Sequence, residues 1–88
     1  MAKIKILGKK YKLTILEERE PEMIANNWGA YINYDDRVIK VTKGQESSLI
    51  HECVHGYLNE IGLDRLNNEN DVEIIAKIVQ HLAKYVDE

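Results

Sequence analysis

The sequence predicts an α+β fold, a small antiparallel or mixed sheet of three or four strands packed on two main helices. Three observations predict it. Apolar and polar residues alternate through Lys3–Leu16 and again through Ala30–Val41, the period of half-buried strands. From Gln45 onward the apolar period changes to that of a helix. Hydrophobic residues make up 44% of the 88 positions and the only proline is Pro21, so the chain carries enough apolar surface for one small core and few helix breakers. We therefore expect residues 1–88 to form a single domain whose strands precede its helices.

In chain order, KIKILGKKYKLTIL reads as a β-hairpin turning at Gly8-Lys9-Lys10. The polar stretch Glu17–Gly29, with Pro21 and Asn26-Asn27, reads as a connection carrying one helical turn. AYINYDDRVIKV is a second hairpin around Asp35-Asp36, rich in β-branched and aromatic residues. Leu49, Ile50, Cys53, Val54, Tyr57, Leu58 and Ile61 recur at helical spacing, and Gly62 is placed to end that helix. After LDRLNNEN, in which Asn67, Asn68 and Asn70 are candidate caps, Val72, Ile75, Ala76, Val79, Leu82, Ala83 and Val86 mark the apolar face of a second helix.

The net charge of -3 comes from interspersed charges with no basic stripe, which argues against nucleic acid as a partner. No apolar run approaches the roughly 20 residues of a membrane helix, and the basic N-terminus lacks the apolar core of a signal peptide. A cytoplasmic location is the expectation. The lone cysteine, Cys53, excludes an internal disulfide and fits a reducing compartment.

Within the first helix stands HECVH, His51 to His55. Residues four apart differ by about 40° around a helix, so the two imidazoles lie one turn apart on one face and can converge on an ion. Glu52 falls beside this pair rather than between them, placed to act on water instead of ligating. Zinc lowers the pKa of a bound water towards about 7, and a neighbouring carboxylate can then accept its proton as water attacks an amide carbonyl. The competing reading is a solvated helix that spells the motif by coincidence. Cys53 points about 180° from the histidines and is expected to be a small buried residue.

HECVH, the extended RVIKV before it, the IGLDRLNNEN link and the VEIIA that opens the second helix resemble, in that order, the gluzincin branch of zinc metallopeptidases. The nearest likeness is to small phage- and prophage-encoded proteins related to the ImmA/IrrE metallopeptidases, over roughly residues 29–85. The resemblance implies a zincin-like fold, His51 and His55 as zinc ligands, Glu52 as general base, and Glu73 as the third ligand, followed by Ala76 where the family favours a small residue. Read from the residues alone, Glu73 has a second possible role, as the partner of Asn70 in a capping box. Glu69, Asp71 and His81 are the alternative ligands. Gly56 stands where the family usually has alanine, which weakens the helix by up to about 1 kcal/mol and is expected to free space beside the metal.

The function expected is hydrolysis of a peptide bond in a protein or peptide substrate, which could dock as an added strand along the edge offered by residues 30–42. The rival is a zinc-stabilised interaction module with little turnover, and a DNA-binding module is disfavoured by charge. Trp28 is expected as a core anchor, with substrate contact as its alternative role, and His81 as a partly buried or surface residue at the edge of its helix's apolar face, with an accessory role as its alternative. Tyr31, Tyr34, Tyr57 and Tyr85 are candidate hydrogen-bond donors to a substrate oxyanion, among which spacing does not choose.

Overall fold

A computed structural model describes residues 2–86, with side chains for residues 2–83. The elements are β1 (Ala2–Ile6), β2 (Lys9–Leu16), α1 (Pro21–Ala25), β3 (Ala30–Asn33), β4 (Val38–Thr42), α2 (Leu49–Ile61) and α3 (Glu69–Val86), with 3-10 turns at Glu46–Ser48 and Asp64–Leu66. The fold is α+β, with both hairpins in one four-stranded mixed sheet of order β1-β2-β4-β3. β2 and β4 run parallel at its centre, Leu13 beside Ile39 and Ile15 beside Val41. The connection through α1 makes that pairing possible. Pro21 opens α1 at a position where its missing N–H costs nothing, and the short helix buries Met23 completely. Because β4 is paired on both sides, only β3 offers a free edge within residues 30–42, a narrower one than the sequence suggested.

The first hairpin turns one residue earlier than expected. Lys9 and Lys10 already pair with Ile6 and Lys5, so Leu7 and Gly8 form the two-residue turn, both left-handed at φ 50° and 81°. Two positive φ angles match the twist of the flanking strands. In the second hairpin Asn33 Oδ1 accepts from the Asp36 N–H at 3.0 Å and closes the turn around Asp35-Asp36.

One face of the sheet is apolar. Ile6, Tyr11, Ala30, Ile39 and Val41 are buried there, with Ile4, Leu13 and Ile32 beside them, and α2 covers them with Leu49 and Cys53. A different side of α2 presents Val54 and Leu58 to Val72 and Ala76 of α3. The result is three layers, sheet, α2 and α3, with α2 covered from both directions. A fully buried aliphatic side chain stabilises by about 1.5–3 kcal/mol, so these two clusters supply most of the cohesion between layers.

Gly56 sits where α2 crosses the sheet. A Cβ there would lie 2.6 Å from Ile6 Cδ1 and 3.1 Å from Ile32 Cδ1. The space this glycine leaves is therefore on the sheet side, filled by Ile6 and Ile32, and not beside the histidines as the sequence suggested. Its role is to bring the helix close to the sheet. α2 ends as expected at Gly62, left-handed at φ 77°, with the Leu63 N–H bonding back to the Leu58 carbonyl at 3.0 Å.

α3 begins two residues before the run read from its apolar period. Asn68 Oδ1 accepts from the Asp71 N–H at 2.9 Å, and its amide donates to the Asp71 carboxylate at 2.7 Å. Asn68 and Asp71 thus form the cap, and Glu73 is not needed for it. Glu69 and Glu73, four residues apart, then lie on one face of α3.

Candidate metal centre

α2 and α3 meet where His51, His55 and Glu69 converge. His51 Nε2 lies 3.0 Å from Glu69 Oε2, and His55 Nε2 lies 3.0 Å from Glu69 Oε1. One ligand atom from each of the three residues falls within 4.8 Å of the others. Four-residue spacing on α2 brings the imidazoles edge to face, with centroids 4.9 Å apart and planes at 71°, and the Asn68 cap places Glu69 in the first turn of α3 opposite them. Both histidines are largely withdrawn from solvent, whereas the Glu69 side chain is 82% exposed, so the carboxylate closes the site from the solvent side.

Glu73, the third ligand implied by the resemblance, approaches the other nitrogen of His51, with Oε2 3.2 Å from Nδ1. The matching nitrogen of His55 lies 2.6 Å from Asn67 Oδ1. Asp71 is engaged in the cap, and His81 is exposed on α3 outside the cluster. Each imidazole therefore turns Nδ1 to a partner in the protein and Nε2 to Glu69.

These partners limit where the protons can sit. A carboxylate only accepts, so a neutral His51 ring can donate from Nε2 to Glu69 or from Nδ1 to Glu73 but not to both, and a metal on Nε2 would require the Nδ1–H tautomer. In that tautomer the Nε2 lone pair faces Glu69 Oε2, a second acceptor, at 3.0 Å. Two acceptors at this distance repel unless positive charge lies between them. An Nε2–H on each ring would satisfy the two contacts as ordinary hydrogen bonds; with the protons on Nδ1, two imidazole nitrogens gathered on two carboxylate oxygens form a donor set suited to a divalent cation. Zinc bonds of about 2.0–2.1 Å in tetrahedral geometry hold ligand atoms about 3.3 Å apart; each Nε2 lies 3.0 Å from a Glu69 oxygen, and the three ligand atoms lie within 4.8 Å of one another. The residues present fit such an ion.

Glu52 follows His51 on α2 but is buried, 8% exposed, and borders the clefts on both sides of the cluster. Burial pushes its carboxyl up to about 7; the nearby Glu69 acts in the same direction and His55 in the opposite one. A group poised there can hold or release a proton near neutral pH. Cys53, on the sheet side of the same helix, is half-buried in the core, and burial raises its thiol.

The larger cleft, about 400 Å3, runs past Trp28, Ala30, His51, Glu52, Glu69 and Glu73. The smaller, about 210 Å3, continues past Trp28, Ile32, Tyr34, Glu52, His55 and Glu69. Edge strand β3 borders both. Gly29 O accepts from the Thr42 N–H, which fixes 29 and 42 as a hydrogen-bonded pair and turns the backbone groups of Ala30 and Ile32 away from β4. Trp28 is 41% exposed where the clefts meet, its ring 6.2 Å from that of Tyr31, so it is a cleft wall rather than a core anchor.

Of the tyrosines, Tyr34 reaches the cluster. Its hydroxyl accepts from Asn67 Nδ2 at 3.1 Å and keeps its own proton to donate. Burial raises its pKa, which keeps that proton in place. Tyr31 donates to Glu20 and Tyr57 is 42% exposed on α2, while the side chain of Tyr85 lies outside the described residues. Sequence reasoning gave Asn67 only a capping role. Its sole signal was an asparagine in the link between the two helices.

No helix among the described residues is long and apolar enough to cross a membrane. Comparison of the chain with family models, with characterised proteins and with solved structures gives no match.

Proposed function

We propose that this chain is a zinc-dependent peptidase acting on a protein or peptide substrate in the cytoplasm. The observation that carries the reading is the convergence of two imidazole nitrogens on one carboxylate, beside a buried glutamate that borders both clefts. His51, His55 and Glu69 would hold the ion, and Glu73 would orient His51 through Nδ1. The resemblance of HECVH and the following helix to the gluzincin metallopeptidases, including those of phages, agrees with it.

Bound zinc would supply a Lewis acid that polarises a carbonyl oxygen and acidifies water from a pKa of about 15.7 towards about 7. Glu52 accepts the proton of the attacking water on its carboxylate and returns it to the leaving amine nitrogen. Tyr34 donates its hydroxyl proton to the substrate carbonyl oxygen as negative charge builds there. The outward N–H and C=O groups of Ala30 and Ile32 pair with an extended substrate and lay its scissile bond across the cluster.

A second reading has one observation in its favour. Ile74, Ile78, Val79 and Leu82 of α3 are each 41–55% exposed, an apolar flank suited to protein contact, so the zinc site would serve to fix α3 in an interaction module. Metal analysis and one variant separate the possibilities. Protein reconstituted with zinc at neutral pH should hold about one ion per chain, and less than about 0.2 per chain removes both zinc readings. Glu52→Gln should keep the zinc and abolish peptide hydrolysis; zinc-loaded wild type that cleaves no unfolded protein or peptide pool favours the interaction module.

A further inference from the structure

Asn67 makes three contacts with one side chain, and together they leave it a single orientation. Its Nδ2 lies 3.4 Å from the backbone carbonyl of His55 and 3.1 Å from the Tyr34 hydroxyl, while its Oδ1 lies 2.6 Å from His55 Nδ1. A backbone carbonyl can only accept, so the atom facing it must be the amide nitrogen. The amide oxygen is thereby fixed on the imidazole. An amide oxygen also only accepts, so His55 Nδ1 must donate, and Nε2 of the neutral ring keeps its lone pair towards Glu69.

We propose that Asn67 is a positioning residue that sets the tautomer of His55, with the backbone carbonyl of His55 choosing, through the Asn67 amide, which nitrogen of its own ring faces the metal. The inference rests on the zinc reading and adds a residue that HECVH does not contain. It also explains why the two histidines have different partners. His51 Nδ1 has beside it, at 3.2 Å, a carboxylate on α3 that solvent reaches, whereas His55 Nδ1 is hydrogen-bonded to a neutral amide in the link, half-buried and tied to the backbone of α2. The same amide leaves the Tyr34 hydroxyl as an acceptor, with its proton directed elsewhere.

The test uses the full chain and two readouts. In metal-free protein, nitrogen-15 NMR of the histidine rings should show His55 as the Nδ1–H tautomer in the wild type and a shift towards Nε2–H in Asn67→Ala. Zinc affinity, measured by competition with a chromophoric chelator, should fall about 10–100-fold in Asn67→Ala. Asn67→Asp keeps an acceptor in place and should retain the Nδ1–H tautomer and bind zinc at least as tightly as the wild type. That variant keeps the proposal falsifiable even where Asn67→Ala fails to fold. An unchanged tautomer in Asn67→Ala, or Asn67→Asp losing the Nδ1–H tautomer, overturns the inference. A wild type that takes up no zinc sinks the metal reading instead, and the tautomer measurement still decides the role of Asn67.

Discussion

Glu69 and Glu73 sit one turn apart on α3 and approach different nitrogens of the same histidine, 3.0 Å from Nε2 and 3.2 Å from Nδ1. Their roles separate by substitution with glutamine. Glu69→Gln replaces an anionic ligand and should weaken zinc binding by more than about 100-fold, whereas Glu73→Gln keeps an acceptor for His51 and should cost about 10-fold or less. The opposite ranking in a chelator competition would make Glu73 the ligand. Glu52 gives a test that needs no metal. Its folded pKa, about 7, lies above its ordinary value of 4.5 because burial disfavours the charge. Its contribution to stability is therefore fully present below about pH 4.5 and is lost as pH rises through about 7. Glu52→Gln cannot ionise, so in metal-free protein its stability relative to wild type should rise by about 2–3 kcal/mol between pH 5 and pH 8. Denaturant unfolding at the two pH values measures it, and a constant difference would show that Glu52 is not desolvated.

At the scale of elements, α2 carries incompatible demands on different sides. Its histidines must face α3 and the cleft, Val54 and Leu58 must pack on α3, and Gly56 must lie against Ile6 and Ile32. Alanine at position 56 would gain about 1 kcal/mol of helix propensity. It would also press a methyl group into Ile6, which is fully buried and has little room to move. Overpacking of this kind costs about 1–3 kcal/mol, so Gly56→Ala is expected to be destabilising, with a lowered unfolding midpoint. A stabilised variant would mean that α2 can lift from the sheet without loss. The cap of α3 belongs to this scale too. Asn68 with Asp71 and Asn70 with Glu73 have the same spacing in the sequence. The structure uses the first pair, which starts the helix early enough to bring Glu69 to the histidines.

For the whole molecule, the layered order leaves α3 anchored chiefly through α2. It packs on α2 through Val72 and Ala76, whereas the strands are held by hydrogen bonds on top of their own apolar cluster. Zinc shared by α2 and α3 would act as a staple between the middle layer and the outer helical one. A ligand present at a hundred times its dissociation constant stabilises by about 2.7 kcal/mol. Removing zinc with a chelator should therefore speed amide hydrogen exchange most in the first turns of α3, with β2 and β4 little changed. Uniform acceleration across sheet and helices would instead mean that all three layers open as one unit.

Local signals in the sequence determined a good deal of this protein. Alternation marked both hairpins, a 3.6-residue period marked α2 and α3, Gly62 marked the end of α2, and the four-residue spacing of His51 and His55 placed two imidazoles on one face. Each depends on residues near one another in the chain, where backbone geometry links sequence spacing to direction in space. Tertiary structure decided what depends on distant partners. The parallel pairing of β2 with β4, the space beside Gly56, the exposure of Trp28 at the cleft, the choice of Asn68 as cap and the closure of Asn67 on His55 all join segments or weigh alternatives that look equal locally. Glu69 and Glu73 show the division most clearly. Helical spacing puts them on one face of α3, but only the packing of α3 on α2 determines which carboxylate meets the Nε2 atoms.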